Sequence, residues 1–473
     1  MSINNSNSSL LGFSILWFIV SIFVCSITRQ YSAEYCHDII TILVVFSYGL
    51  CLYYWIKGGN RVLSLYTLFV VYAFFSNAGQ SLLHLFRFPE EMLVVYDDGT
   101  MSQLVDMLRF QYLCIAAMGI GTCLYLNSSK YKPITLENQR ELLSKQSFIK
   151  KPRDSFYWAI LLFCLVYVSY FAITMVALRQ YMDYGDLYAV RGEWNNVFNQ
   201  IVNLLAVMLS YYFLFRNKRT LIVQIFSVLI ILLYMISGSR GMAIPYIGLL
   251  IVTLPITNPK MFKRRYWAFW LIGGIVFFSL LNVISTTRSS YLTSQSLNTT
   301  NTIAMNAYGT ISEMGFSART VTLTMNAIGN GSIEHHQTIL HTLVTSLIPF
   351  TNDISFFQDQ YIHLSSWISE YAGSFYSGLG YSFIAEAYMD FGWFGCIFVL
   401  LYGWFIAFAE SLAYRRITRG HYYLALVLLV ILSKQVFYAR AELELIGGTL
   451  RLLEFISIIY FFFFYSRSSH NGA

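Results

Sequence analysis

The chain has 473 residues, 56% of them hydrophobic and 18% aromatic, while Asp, Glu, Lys and Arg together supply only 12%. A soluble domain carries about twice that charge, so a water-soluble globular protein is excluded, and the mean hydropathy of +0.55 agrees. The formal net charge of +7 does not call for a nucleic-acid partner, because the placement of the basic residues along the chain explains it.

In chain order, apolar segments of spanning length lie at about 10–27, 39–56, 62–84, 104–126, 156–178, 201–215, 220–237, 241–256, 266–285, 381–409, 422–438 and 450–466. A hydrocarbon core of about 30 Å needs roughly this many residues as helix. Only helices and closed barrels satisfy their backbone in lipid. Continuous apolar runs, without the alternation of barrel strands, leave the helix. The expectation is an all-α polytopic membrane protein with about twelve transmembrane helices. The opening MSINNSNSSL has no Lys or Arg and no small-residue cleavage site follows, so the first span reads as permanent and not as a removed signal peptide.

Lys and Arg gather in short cytoplasmic loops. With both termini inside, one side collects Lys57, Arg61, the basic residues between Lys130 and Arg153, Arg216, Lys218, Arg219, Lys260, Lys263, Arg264, Arg265, Arg415, Arg416, Arg419 and Arg467. The other side and the spans hold most of the acidic residues. The long inside loop at 128–155 suggests a boundary, so the chain divides into an N-terminal four-helix region with its loop (1–155), a central membrane region (156–285), a large outer loop (286–380) and a C-terminal membrane region (381–473).

The outer loop opens on the polar run TTRSSYLTSQSLNTTNT, expected to be solvated. In ISEMGFSARTVTLTMNAIGN the residues Ile311, Met314, Ala318, Val321, Met325 and Ile328 recur every three or four positions, which predicts one amphipathic helix lying on the bundle or membrane surface. HHQTILHTLVTSLIPF repeats the pattern and Pro349 marks its stop. The middle of the loop is therefore expected to fold and cap the outer face. The seven cysteines sit almost entirely in spans without CxxC spacing and read as buried apolar thiols, not as metal or redox groups.

Between the seventh and eighth spans, ISGSRGMAIP leaves almost no loop and places Arg240 between Gly238 and Gly241 at the outer surface. Glycines let backbone N–H groups approach a ligand, and the start of the following helix favours an anion. The arginine fork adds two parallel donors for phosphate oxygens. The bland alternative is an interfacial arginine snorkelling from a tight turn. Arg191, Arg288, Arg319 and Arg440 are further outer-side arginines, and several around one cavity would suit a pyrophosphate on a membrane lipid.

Glu386 and Asp390 stand four apart where the tenth span enters the membrane, so two like charges share one helix face. That is unfavourable unless a proton, a cation or a partner intervenes. Glu313 precedes Arg319, while Glu442 and Glu444 follow Arg440. Glu334, His335 and His336 form a cluster that could act as base, although adjacent histidines diverge on a helix and no metal is expected. The chain has no Asp-x-Asp pair, no phosphate loop ending in Lys-Ser/Thr and no Gly-x-Ser-x-Gly elbow, so soluble nucleotide-dependent chemistry and cofactors find no support.

SGSRG at an outer turn, ISEMGFSARTVTLT and SLIPF in the late loop, GLGYSFIAEAYMDFGWFG entering the next span and FYARAELELIGGTLR near the end together resemble the O-antigen polysaccharide polymerases called Wzy. The resemblance implies a GT-C type glycosyltransferase in the bacterial inner membrane, active at the periplasmic face and needing no cofactor. Such an enzyme moves a growing glycan from undecaprenyl pyrophosphate onto the non-reducing end of a new lipid-linked unit, and the resemblance implies a chain-length-regulating co-polymerase as a further partner. The expected roles are Arg240, Arg319 and Arg440 on pyrophosphate, supported by Arg191 and Arg288, with Glu313 or Glu386 as base and His336 behind them. The alternatives are the O-antigen ligase or another GT-C transferase, and a lipid-linked oligosaccharide flippase or transporter. Trp194, Tyr291, Tyr361, Trp367 and Tyr376 could stack on sugar rings.

Overall fold

The computed structural model of the chain describes residues 2–88, 93–96, 99–128, 131, 154–178, 196–215, 220–237, 240–257, 303–347, 362–373, 380–418 and 422–460, and every regular element among them is helical. In order these are α1 (Ser2–Ile27), α2 (Ala33–Lys57), α3 (Leu65–Leu85), α4 (Met101–Leu126), α5 (Asp154–Leu178), α6 (Asn196–Phe215), α7 (Thr220–Ile236) and α8 (Arg240–Thr257). After them come α9 (Ile303–Met314), α10 (Ser317–Gly329), α11 (Thr338–Leu347), α12 (Leu364–Tyr371), α13 (Phe383–Phe391), α14 (Gly395–Thr418), α15 (Tyr422–Tyr438) and α16 (Glu444–Tyr460).

Among the described residues, six stretches are long and apolar enough to cross a membrane: Asn7–Gln30, Ala33–Lys57, Leu65–Leu85, Met101–Leu126, Ser155–Leu178 and Phe383–Ile417. Phe198–Leu214, Thr220–Ile236, Gly241–Pro255 and Tyr423–Tyr438 are shorter apolar helices. The chain is thus an all-α polytopic membrane protein, and the first eight, tenth and eleventh expected spans have their helices. The ninth, at 266–285, lies outside the described residues, and the last begins earlier than expected, at Glu444. α5 shows how the bundle meets lipid: Leu162, Phe163, Val166, Tyr170 and Ile173 are exposed, while Leu161, Cys164, Val168, Phe171 and Met175 face inward. An exposed apolar stripe of that size is stable only against hydrocarbon.

The central helix is α4, packed against α14, α2 and α1. It begins at a capping box in which the Thr100 hydroxyl accepts from Gln103 N and the Gln103 side chain accepts from Thr100 N. Small residues let α4 and α14 approach. A Cβ on Gly121 would overlap the Leu400 carbonyl, and one on Gly403 would stand 2.6 Å from the Met118 carbonyl oxygen.

Buried polar groups distinguish the two ends of the bundle. At one end Glu410 of α14 accepts from Leu65 N at 3.2 Å and Tyr66 N at 2.8 Å, and Arg61 donates to the Val252 carbonyl at 2.9 Å. At the other, Gln80 of α3 accepts from Val95 N and donates to the Ser312 carbonyl, both at 2.9 Å, while Asn77 donates to the Ala439 carbonyl at 3.3 Å. The late loop packs at this second end.

Two expectations are corrected here. The single surface helix expected in ISEMGFSARTVTLTMNAIGN is two helices, α9 and α10, broken at Gly315, where a Cβ would stand 2.7 Å from Gln80 N. Nor does α10 lie on a surface: it is inserted among α3, α4, α12 and α13, with residues 317–324 all buried. Its polar face tolerates burial because threonine hydroxyls bond within the structure. Thr320 donates to the Ser317 carbonyl at 2.7 Å, and Thr324 donates to the Thr320 carbonyl at 2.7 Å and meets the Tyr381 hydroxyl at 2.8 Å. The tenth span is likewise not one rod. It divides into α13 and α14 at Gly392, whose φ of +56° and ψ of −136° are open to glycine and strained for other residues.

Candidate functional site

The site is best built from its carboxylates. Glu386 and Asp390 lie one turn apart on α13 and both are buried, so each needs hydrogen-bond donors to offset lost hydration. Helix starts supply them, because the first N–H groups of a helix have no partner inside it and carry the positive end of its dipole. Asp390 accepts from Thr338 N at 3.0 Å, from the Thr338 hydroxyl at 2.6 Å and from Ile339 N at 2.6 Å, and so caps α11 from another helix. Glu386 accepts from Leu443 N at 2.9 Å, just ahead of α16, and at 3.5 Å from the Thr338 hydroxyl. The two carboxyls expected on one helix face are therefore buried side by side, and donors at two different helix starts answer them.

Glu442 does the same for α12. One of its oxygens accepts from Leu364 N at 2.8 Å and Ser365 N at 3.3 Å, and the other from the Ser365 hydroxyl at 2.8 Å. His363 joins it, with Nδ1 2.7 Å from Glu442 and Nε2 3.6 Å from Glu444. The hydrogen bond to Glu442 raises the His363 pKa above its usual 6.5, against a smaller opposing effect of burial. His363, Glu442 and Glu444 are close enough for a metal ion. However, both ring nitrogens face carboxylates, the arrangement of an imidazolium bridging two anions.

Among the arginines, Arg319 is 1% exposed, in the buried stretch of α10 that packs on α13. Arg440 is half-buried in the turn between α15 and α16, and its carbonyl closes on Gly380, whose φ of +71° and absent side chain permit the approach. Arg240 is the first residue of α8, as expected for a helix-start position. A Cβ on its neighbour Gly241 would be 2.9 Å from the Phe437 ring, so the start of α8 abuts α15 three residues before Arg440. Arg191 and Arg288 lie outside the described residues, as do Trp194, Tyr291, Tyr361 and Tyr376. Trp367 is on α12, stacked on Tyr371.

Glu313 sits near the end of α9, half-buried and next to Ser312, whose carbonyl Gln80 holds. His336 is half-buried in the link between α10 and α11. Its neighbour His335 meets the Met389 carbonyl through Nδ1 at 2.8 Å. Sequence reasoning missed Thr338, Tyr381 and His363. Nothing in the spacing of the chain shows which carboxylate will cap which helix start tens of residues away.

Four segments singled out in the sequence thus meet at one end of the bundle: the start of α8, α10, α13 and the α15–α16 turn. They are joined by the Thr324–Tyr381 contact, the Glu386–Leu443 hydrogen bond and the packing of Gly241 on Phe437. Ser382, which caps α13, also donates to Asn77 of α3, and Asn77 reaches the same turn at Ala439. The family model described as O-antigen polysaccharide polymerase Wzy matches residues 10–470. No curated protein and no solved structure matches the chain. With a match over nearly its whole length, the chain belongs to the Wzy O-antigen polysaccharide polymerase family.

Proposed function

We propose that this family member is a GT-C type glycosyltransferase of the bacterial inner membrane that polymerises undecaprenyl-pyrophosphate-linked oligosaccharide repeat units at the periplasmic face. The observation that carries the reading is the meeting of the Arg240, Arg319 and Arg440 segments with the Glu386 segment at one end of the bundle. A hydroxyl on the non-reducing sugar of a new lipid-linked unit attacks the anomeric carbon of the growing glycan. The new C–O bond forms as the bond to the pyrophosphate breaks, undecaprenyl pyrophosphate leaves with the electron pair, and the acceptor proton passes to a base.

Negative charge grows on the leaving group, so fixed cations held out of water stabilise the transition state more than the ground state. Arg319, Arg240 and Arg440 take that role in the proposal, with Arg191 and Arg288 in support. For the base, the hydrogen bonds distinguish the buried carboxylates. Asp390 and Glu442 accept short backbone and hydroxyl donors at both oxygens, whereas Glu386 takes one backbone donor, from Leu443 N at 2.9 Å, and otherwise meets only hydroxyls, those of Thr338 at 3.5 Å and of Tyr438. Glu386 and Glu313 are the proposed bases, with His336 third. A chain-length-regulating co-polymerase and the inner-membrane lipids complete the proposed partners.

The test is the surface glycan of a deletion strain complemented with wild type, Arg240→Ala, Arg319→Lys, Glu386→Gln or Glu313→Gln, with membrane levels of each protein checked. Variants in the pyrophosphate site and in the true base leave a single repeat unit on the lipid A core at normal protein level. Losing one such interaction costs about 10²–10³ in rate, which suffices to remove the ladder. A full ladder from both arginine variants would overturn the pyrophosphate assignment. Loss of even the single capped unit in the deletion strain would overturn the polymerase reading in favour of ligation or flipping.

A further inference from the structure

At the same end of the bundle, outside the site just described, α2 carries His37 and Asp38 in its first turns and α3 carries His84 in its last. His37 Nδ1 lies 3.1 Å from Asp38 Oδ1, and His84 Nδ1 lies 4.0 Å from the same oxygen. One donor atom from each residue falls within 4.8 Å of the other two. The side chains of His37 and His84 are 1% and 12% exposed and that of Asp38 is 29% exposed, so the cluster is enclosed yet reachable from solvent. We propose that His37, Asp38 and His84 bind a divalent transition-metal ion of the zinc class.

The donor set suits that class, since two imidazoles and one carboxylate are borderline ligands of the kind zinc and its neighbours take. Bonds of about 2.0–2.1 Å in a tetrahedral site put ligand atoms roughly 3.3 Å apart. The His37–Asp38 pair, at 3.1 Å, is already near that spacing, His84 stands 4.0 Å from the same carboxylate oxygen, and a donor atom of each imidazole lies within 4.8 Å of the other. Three protein ligands leave a fourth position for water.

The surroundings are those that orient metal ligands. The Tyr96 hydroxyl stands 2.7 Å from His37 Nε2, so a histidine coordinating through Nδ1 donates its remaining N–H to that oxygen. The Tyr96 ring stacks on His84 with centroids 4.5 Å apart and an interplanar angle of 10°, which fixes the plane of the second imidazole. Asp38 Oδ2 accepts from Arg87 at 2.9 Å, leaving Oδ1 turned to the histidines. Arg87 reaches it from a φ of +59°, the sole positive φ at a non-glycine among the described residues, in the turn closed by Phe88 N on the Leu83 carbonyl. A left-handed arginine is strained, and the contact with Asp38 helps offset that strain. Its charge opposes a nearby cation, but the guanidinium is 73% exposed and solvent screens it.

The ion would tie the α2 start to the α3 end beneath the 93–96 turn, whose Val95 N is held by Gln80, the residue that also holds α9 through Ser312. The test takes the full-length chain in detergent, purified without a histidine tag, stripped by chelator and titrated with Co²⁺ and then Zn²⁺. Wild type takes up about one equivalent of cobalt with the visible absorption of a tetrahedral site, zinc displaces it, and the Tm rises with metal. His84→Gln and Asp38→Asn abolish both effects. Tyr96→Phe, which keeps every ligand, weakens binding about 10–100-fold while its metal-free form melts with metal-free wild type. That variant carries the test should the ligand variants fail to accumulate. No stoichiometric uptake by wild type, or uptake unchanged in His84→Gln and Asp38→Asn, would overturn the proposal and leave the cluster a hydrogen-bonded brace.

Discussion

At the scale of the residue, the structure repeatedly uses a buried carboxylate from one segment to cap the start of another. Asp390 serves α11, Glu442 serves α12, Glu410 serves α3 and Glu386 serves the residue ahead of α16. Each arrangement matches carboxyl oxygens to N–H donors that a helix cannot satisfy itself. The His363–Glu442 contact makes one of these caps responsive to pH. Its partner raises the histidine pKa, so the stabilisation is complete below about 6.5, the unfolded value, and is lost as pH rises through the higher folded value. The Tm of the detergent-solubilised protein should therefore fall across that interval above pH 6.5, and His363→Gln should flatten the fall. A half-exposed histidine limits the size of the effect. An identical pH profile in His363→Gln would show that the pair contributes nothing.

At the scale of the element, periodicity located helices well and judged their surroundings poorly. The three-and-four spacing over 311–328 marked helix correctly, yet it could not reveal that α10 buries its threonine face, because threonines satisfied within the structure look the same in sequence as threonines facing water. Helix contacts made by glycine were equally silent. Gly121 and Gly49 both lie in spans, but a Cβ on Gly121 would overlap the Leu400 backbone, whereas nothing lies within 4 Å of one on Gly49. Gly121→Val should destabilise the bundle by about 3 kcal/mol or prevent its accumulation, since a backbone atom cannot swing aside. Gly49→Ala should leave melting temperature and glycan ladder unchanged. Equal behaviour of the two variants in a thermal melt would refute the close α4–α14 packing.

At the scale of the whole molecule, the two polar ends of the bundle give the proposed orientation a direct test. The native cysteines are buried apart from the half-buried Cys396, so background labelling is low. A membrane-impermeant maleimide applied to whole cells should label Ser332→Cys, in the exposed turn after α10, and spare Lys57→Cys at the other end. The reverse pattern would turn the candidate site toward the cytoplasm and remove the periplasmic reading.

The chain's own composition and periodicity settled that it is an all-helical membrane protein, because span length and continuous hydropathy are local properties that lipid imposes on any sequence. The arginine and carboxylate segments were visible for the same reason: a charged residue beside or within an apolar run is costly enough to stand out. Only the tertiary structure decided which of them meet. Glu386 finds Leu443, Asp390 finds Thr338 and His37 finds His84 across 57, 52 and 47 positions of sequence, respectively. Contacts that distant depend on how helices pack, and packing is a property of the assembled bundle that no single segment encodes.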